Sequence, residues 1–130
     1  MSDEKMAQGN FCWNELMTRD LPAAQKFYAD LLGWNVADSG MPGMDYKLLK
    51  AGEKDAGGMM AMPKEVPAEV PSHWMAYITV DDVDASAKKV AELGGQVLCG
   101  PMDIPQVGRF CTIQDPSGAM VSLITLAPPK

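Results

Sequence analysis

A chain of 130 residues with 47% hydrophobic and 22% charged side chains is long enough to bury a core, and its composition excludes a disordered protein. A net charge of −6 argues against a nucleic-acid partner, which would need a basic stripe, and is compatible with a cationic ligand. No apolar run approaches the roughly 18 residues of a membrane span. Residues Met1 to Asn10 lack both the apolar stretch of a signal peptide and the Arg-rich bias of a transit peptide, so the expected compartment is the cytoplasm.

In chain order, Trp13 to Thr18 reads as a strand and is followed by Arg19-Asp20-Leu21. Leu21, Ala24, Phe27, Tyr28, Leu31 and Leu32 then recur at three- and four-residue steps, which is one face of a helix. Asp20 is placed to cap its N-terminus, Pro22 falls in the first turn where its missing donor costs little, and Gly33 ends it. Strands follow near residues 34–39, 44–51 and 55–62. Residues 63–72 hold three prolines and alternating glutamates and read as an extended linker. A fifth strand begins near His73, and Val83, Ala87, Val90 and Leu93 form the next helical face, capped by Asp82 and closed by Gly94-Gly95. Further strands lie near 96–100, 109–114 and 119–126, with Asp115-Pro116-Ser117-Gly118 spelling a type I turn. Cys12, Cys99 and Cys111 are odd in number, far apart and set among apolar neighbours, so they read as small buried hydrophobes.

The chain repeats itself. The stretch from Trp13 to Leu21 matches that from Met75 to Val83 at an offset of 62, each a strand, an aspartate and an aliphatic residue opening a helix. Gly57-Gly58-Met59-Met60-Ala61 likewise sits opposite Gly118-Ala119-Met120-Val121-Ser122. The expected organisation is an α+β domain over residues 1–130 made of two tandem βαβββ modules: module 1 at about 11–62, the linker at 63–72 and module 2 at about 73–126.

Arg19-Asp20-Leu21 through Phe27-Tyr28 to Leu31-Leu32-Gly33-Trp34, with Val80-Asp81-Asp82-Val83-Asp84-Ala85, Gly94-Gly95 and Asp115-Pro116-Ser117-Gly118, resembles the paired signatures of the glyoxalase / bleomycin-resistance / extradiol dioxygenase (vicinal oxygen chelate) superfamily. Trp13-Asn14-Glu15-Leu16, Gly57-Gly58-Met59-Met60 and Asp103 to Arg109 are similar to a subgroup of glyoxalase-like proteins of unassigned activity. The resemblance implies curved sheets around a ligand cavity and a homodimer. For metal-dependent members it also implies divalent-ion ligands on the first and last strand of each module.

Counting from the caps and turns puts those four positions at Trp13, Ala61, Met75 and Ser122, which cannot hold a divalent cation as imidazole and carboxylate ligands do. A one-residue register shift brings in Asn14, Met60 or Met62, Trp74 or Ala76, and Val121 or Leu123, and again builds no site. No metal site and no cofactor is therefore expected. The expected activity is the binding of a small organic molecule in a Trp/Met-lined cavity. The alternative is an enzyme of lyase, isomerase or dioxygenase type, metal-free with Glu15 as base or using a metal site the motif does not reveal.

Alternation places Trp13, Glu15 and Met17 on one face of the first strand, and Met75, Tyr77 and Thr79 on the matching face of the fifth, with Ser122 from the last. Glu15 is the candidate catalytic group: in apolar surroundings its pKa would rise, suiting a general base, or its charge would hold a cationic ligand. Equally, it is an internal anchor with Arg109 as partner. Tyr77 and Arg109 are candidate ligand-binding donors, although Tyr77 also reads as core and Arg109 as a solvated loop residue. Asp103 is expected near the cavity mouth and His73 at the surface. Met41, Met44, Met59, Met60 and Met62 suit an adaptable cavity or ordinary packing.

Overall fold

The computed structural model describes residues 7–127, apart from residues 42, 44 and 106. The elements run β1 (Phe11–Thr18), α1 (Leu21–Leu32), β2 (Asn35–Asp38), β3 (Tyr46–Ala51), β4 (Lys54–Ala61), β5 (His73–Thr79), α2 (Val83–Glu92), β6 (Gln96–Ile104), β7 (Gly108–Gln114) and β8 (Met120–Leu126). This is the βαβββ order twice over, an α+β fold. Among the described residues, no helix is long and apolar enough to cross a membrane.

The chain forms two compact units. One is Trp13–Met75; the other joins the segment ending at Cys12 to the chain from Ala76 onward. The boundaries fall inside β1 and β5, so the first unit also holds His73, Trp74 and Met75. In that unit the strand order is β2-β3-β4-β1, with β4 and β1 parallel and the rest antiparallel. Leu16, Leu49 and Met59 are buried together under Leu21, Ala24 and Tyr28 of α1, so the helix covers one face of the sheet. In the second unit the order is β5-β8-β7-β6, with β5 and β8 parallel. There Val83 of α2 packs on Cys111 and Leu123, flanked by Ile78, Ala87 and Ile113.

Both helices start as their capping residues dictate. Asp20 Oδ1 accepts from the Ala23 amide at 3.1 Å, and Asp82 Oδ1 accepts from the amides of Asp84 and Ala85 at 3.1 and 3.2 Å. Gly33 closes α1 at φ 73°, a left-handed conformation that a side chain would oppose, while its amide donates to the Ala29 carbonyl. The Asp115 turn forms as expected: the Gly118 amide donates to the Asp115 carbonyl at 2.9 Å, and the Asp115 carboxylate accepts from Ser117 and Ala119. Those bonds, the Ser117 hydroxyl's first, hold the Asp115 carboxyl below its ordinary value.

Three expectations change. β6 continues to Ile104, four residues beyond the predicted end, because the second of two irregularities in its pairing with β7, between Cys99 and Met102, absorbs Gly100 and Pro101 without ending the ladder. Asp103 is thus a strand residue opposite Arg109. Residues 63–72 are not extended: they fold into consecutive turns, with Val66 N donating to Pro63 O and Val70 N to Pro67 O. Arg19 ties them down by donating from Nε to Val70 O at 2.9 Å and from Nη2 to Pro67 O at 2.7 Å. Finally, Cys111 is buried as expected but Cys99 is exposed and Cys12 half-buried. Met44 and Gln106 lie outside the described residues.

Replacing Asp82 with Ala removes the acceptor that serves two free amides and should cost about 1 kcal/mol of stability, whereas Asp82→Asn should retain most of it. Urea denaturation of both variants checks this: equal losses would show that charge, not the capping bond, sets the helix start.

Candidate functional site

Strand alternation sorts the first unit's residues between two faces. Leu16 and Thr18 lie on the helix side; Trp13, Glu15 and Met17 lie on the other. Parallel pairing sets Glu15 opposite Gly58 and Met17 opposite Met60, so Gly58 and Met60 share Glu15's face. Antiparallel pairing then adds Tyr46, opposite Met60, and Leu48, opposite Gly58.

Glu15 is buried, with only 5% of its surface exposed. A buried carboxylate needs hydrogen-bond partners, and Tyr46 supplies one. The indole Nε1 of Trp13 donates to the Tyr46 hydroxyl oxygen at 2.8 Å, and that hydroxyl is hydrogen-bonded to the Glu15 side chain. Because an ionised carboxylate only accepts, the bonds run in one direction: Trp13 N–H to Tyr46 O–H to Glu15 carboxylate. Burial, and then the charge of Glu15, push the Tyr46 phenol far above its ordinary value, so it stays a donor at any working pH.

Gly58 makes this arrangement feasible. A β-carbon on Gly58 would land inside the Tyr46 phenol, and one on Gly57 would sit 2.5 Å from the Asn14 carbonyl oxygen. The glycine pair is therefore a site of close approach, with room for a ring over one residue and a neighbouring strand against the next.

The remaining predicted residues are placed as follows. Met75 is buried on β5. Tyr77 and Ser122 are direct partners between β5 and β8, and so share one face of the second unit's sheet. Ser122 is fully buried with its Oγ 2.8 Å from the Thr112 hydroxyl, and Tyr77 lies 6.1 Å from the Phe110 ring. Arg109 occupies the other face, since it pairs with Thr125, whose hydroxyl bonds Val80 and Val83 at the start of α2. Its guanidinium donates to both Asp84 carboxylate oxygens, at 3.0 and 3.1 Å, and to Asp103 at 3.1 Å. These bonds hold the Asp84 carboxyl below its ordinary value. The partner expected for Glu15 thus anchors α2 to β6 and β7, and the neighbour of Glu15 is Tyr46. Ala61 also departs from its expected face: it pairs with Thr18, and the residue on Glu15's face is Met60. Met59 is core, not cavity lining.

Among the described residues, no group of three or more His, Cys, Asp or Glu side chains is placed to hold a metal ion. The positions identified by pairing offer a carboxylate already engaged by a phenol, a thioether at Met60 and a serine bonded to threonine. That set does not fit the imidazole and carboxylate ligands of a catalytic divalent ion.

A second feature lies on the helix side of β1. A groove of about 380 Å³ runs between α1 and residues 72–74, with Leu16 and Thr18 at its base. Beside it Tyr28 stacks on Trp34 (centroids 5.5 Å apart, 25° between planes) and meets the edges of Phe27 and Trp74 at 5.0 and 5.5 Å. The helical face was legible from Phe27 and Tyr28, but the arrival of Trp74 across 46 residues of chain was not. Tyr46 was missed too. Its one sequence signal was the glycine in the interior of β4.

Gly58→Ala should displace Tyr46 and break both of its bonds, with a loss of stability in the 1–3 kcal/mol range of an overpacked core. Near-ultraviolet circular dichroism and the NMR signal of the Trp13 indole N–H report it; an unmoved Trp13 signal would show that Tyr46 does not depend on that glycine.

Residues 11–123 match the family described as Glyoxalase/Bleomycin resistance protein/Dioxygenase superfamily. The chain is 44% identical over 121 residues to "Putative glyoxylase CFP32" of Mycobacterium bovis, covering 92% of this chain and 45% of that one. It is 35% identical over 118 residues to anthracycline biosynthesis protein DnrV of Streptomyces peucetius, covering 91% and 42%. It thus spans less than half the length of these relatives. Among solved structures, methylmalonyl-CoA epimerase from Mycobacterium tuberculosis superposes with a TM-score of 0.62 at 20% identity, over 98% of this chain and 94% of that one. Protein BH1468 from Bacillus halodurans gives 0.68 at 13% identity, over 95% and 99%. At those identities the structural likeness speaks for the fold alone. The profile match over nearly the whole chain and the repeated βαβββ units together make this protein a member of the glyoxalase / bleomycin-resistance / dioxygenase superfamily.

Proposed function

We propose that the chain binds a small, planar organic molecule through the sheet face bearing Trp13, Glu15 and Tyr46, with no metal between protein and ligand. The observation that carries this is the buried Glu15 carboxylate with the Trp13–Tyr46 bond behind it. A carboxylate that already accepts from a phenol still has lone pairs to accept another donor, which suits holding a ligand's cationic or N–H group. The general-base alternative is the second reading. Met75, in the same unit, enters the proposal as a further binding residue; Tyr77 and Ser122 are proposed as binding residues on the second unit's own sheet face, while Arg109 enters only through the α2 anchor described above. The names of the two anthracycline biosynthesis relatives support a planar polycyclic ligand, although both are more than twice as long as the matched region. The proposal retains the homodimer expected from the family.

A thermal-shift and calorimetric series with cationic polycyclic aromatics, an anthracycline among them, tests the proposal. Glu15→Gln should weaken binding by roughly 10- to 100-fold, the worth of a charged hydrogen bond, and Tyr46→Phe by less. Unchanged affinity in Glu15→Gln with only altered stability would return Glu15 to a structural role. Elemental analysis after soaking in nickel, zinc and iron should find no stoichiometric metal; a tightly held equivalent would overturn the metal-free part. Light scattering should give the mass of two chains, and a monomer at working concentration would remove the dimer from the proposal.

A further inference from the structure

We propose that the groove between α1 and residues 72–74 is a second binding site, for a small aromatic molecule that carries a hydrogen-bond donor and no negative charge. It lies on the opposite side of β1 from Glu15, so it stands independently of the function proposed above. Four observations converge on it. First, the aromatic surface is formed before any ligand arrives: Phe27 and Trp74 are 57% and 42% exposed, yet each is held edge-on to Tyr28. Exposed rings fixed by one another offer apolar contact with little ordering left to do. Second, one turn before Phe27 and Tyr28 the wall of α1 is small: Ala23 and Ala24 line the groove where longer side chains would fill it.

Third, the groove's hydrogen-bonding groups are set by bonds already made. His73 Nδ1 lies 2.9 Å from the Pro71 carbonyl, which can only accept, so Nδ1 carries the proton and the neutral ring keeps Nε2 as an acceptor. The Asp20 carboxylate, which also lines the groove, is another acceptor. Fourth, among the described residues no lysine or arginine lines it, so an anionic ligand would meet Asp20 without compensation. His73 and Asp20 beside the aromatic faces favour a ligand with N–H or O–H groups, while the Thr18, Ser72 and Tyr28 hydroxyls, each already accepting from an N–H, keep their own hydrogens to donate. A cavity of about 380 Å³ admits one or two fused rings.

Indole is a suitable probe, with 1-methylindole as the analogue lacking the donor and indole-3-carboxylate as the anion. On nitrogen-15-labelled protein, the three tryptophan indole N–H signals can be assigned by single Trp→Phe substitutions. Unlabelled indole at millimolar concentration should shift the Trp74 signal saturably, and the affinity for the groove is read from that signal alone, whatever indole does at Trp13. 1-Methylindole should bind about 2- to 10-fold more weakly, the worth of one hydrogen bond, and indole-3-carboxylate more weakly than indole. Ala23→Leu, which fills the groove from the exposed side of α1 without touching the core, should lower affinity at least tenfold, whereas Glu15→Gln should leave it unchanged. The proposal is overturned by the absence of a saturable Trp74 shift, by equal affinity for indole and 1-methylindole, or by undiminished binding to Ala23→Leu. A response confined to Trp13, or one abolished by Glu15→Gln, would equally overturn it by assigning the aromatic probe to the other face.

Discussion

The Tyr46 phenol, lying across Gly58 between the Trp13 indole and the Glu15 carboxylate, is the contact on which the first unit's polar face depends. A carboxylate that is 5% exposed would be costly without a partner. Its partner must come from another strand, because on β1 itself the same-face neighbours are Trp13 and Met17. Tyr46 reaches it from β3 over β4, and only a residue without a side chain leaves that path open. Three strands are thereby locked in register by one hydroxyl. A shift of β4 by one residue would place Met59 under the ring and Gly58 in the helix-side core.

The two faces of that sheet are consequently different kinds of surface. Glu15's face is polar at its centre and fixed by directional bonds. The helix face is held by apolar contact of Leu16, Leu49 and Met59 with α1, a helix with no fully buried residue of its own. Such a helix depends on neighbours as well as on the sheet, and here they are aromatic: Trp34 from its C-terminal side and Trp74 from β5. Arg19 completes the arrangement by fixing the turns that lead into β5, since its bonds to Pro67 and Val70, with its amide's bond to Ser72, determine where Trp74 arrives.

Much of this was legible in the sequence because it is local. Asp20, Asp82, Gly33 and the Asp115 turn act within four residues of themselves, and the structure has each in its expected role. Errors arose where a decision required long-range pairing. Ala61 was placed by an offset of 61 where the first strands repeat at 62, and that odd residue put it on the wrong face. Sequence alone offers Arg109 as a partner for Glu15, because the pairing with Thr125 that turns it to the helix side is not visible there. The end of β6 was misread because Gly100 and Pro101 look like a break when the pairing that carries them through is not visible. Tyr46 was invisible for the same reason: nothing near it in sequence says that a carboxylate waits two strands away.

The duplication itself shows why the site had to diverge from one module to the other. At the offset of 62, Leu16 becomes Ile78, Leu21 becomes Val83 and Leu49 becomes Cys111, and all six pack on the helix side of their sheets. The core therefore retains the repeat in its apolar character. On the opposite face Glu15 becomes Tyr77, Tyr46 becomes Gly108 and Gly58 becomes Met120, so the carboxylate, its donor and the space between them all disappear together. The pairing records the same difference. Glu15 meets Gly58, 43 residues on, while Tyr77 meets Ser122, 45 residues on. A slip of two residues preserves which side each strand presents to its helix, and so leaves the core intact. It changes which side chains stand opposite one another on the other face, where Tyr77 meets Ser122 and not Met120, the counterpart of Gly58. Packing tolerates that slip and hydrogen-bond geometry does not, which is why the repeat is clear in the core and absent from the chemistry.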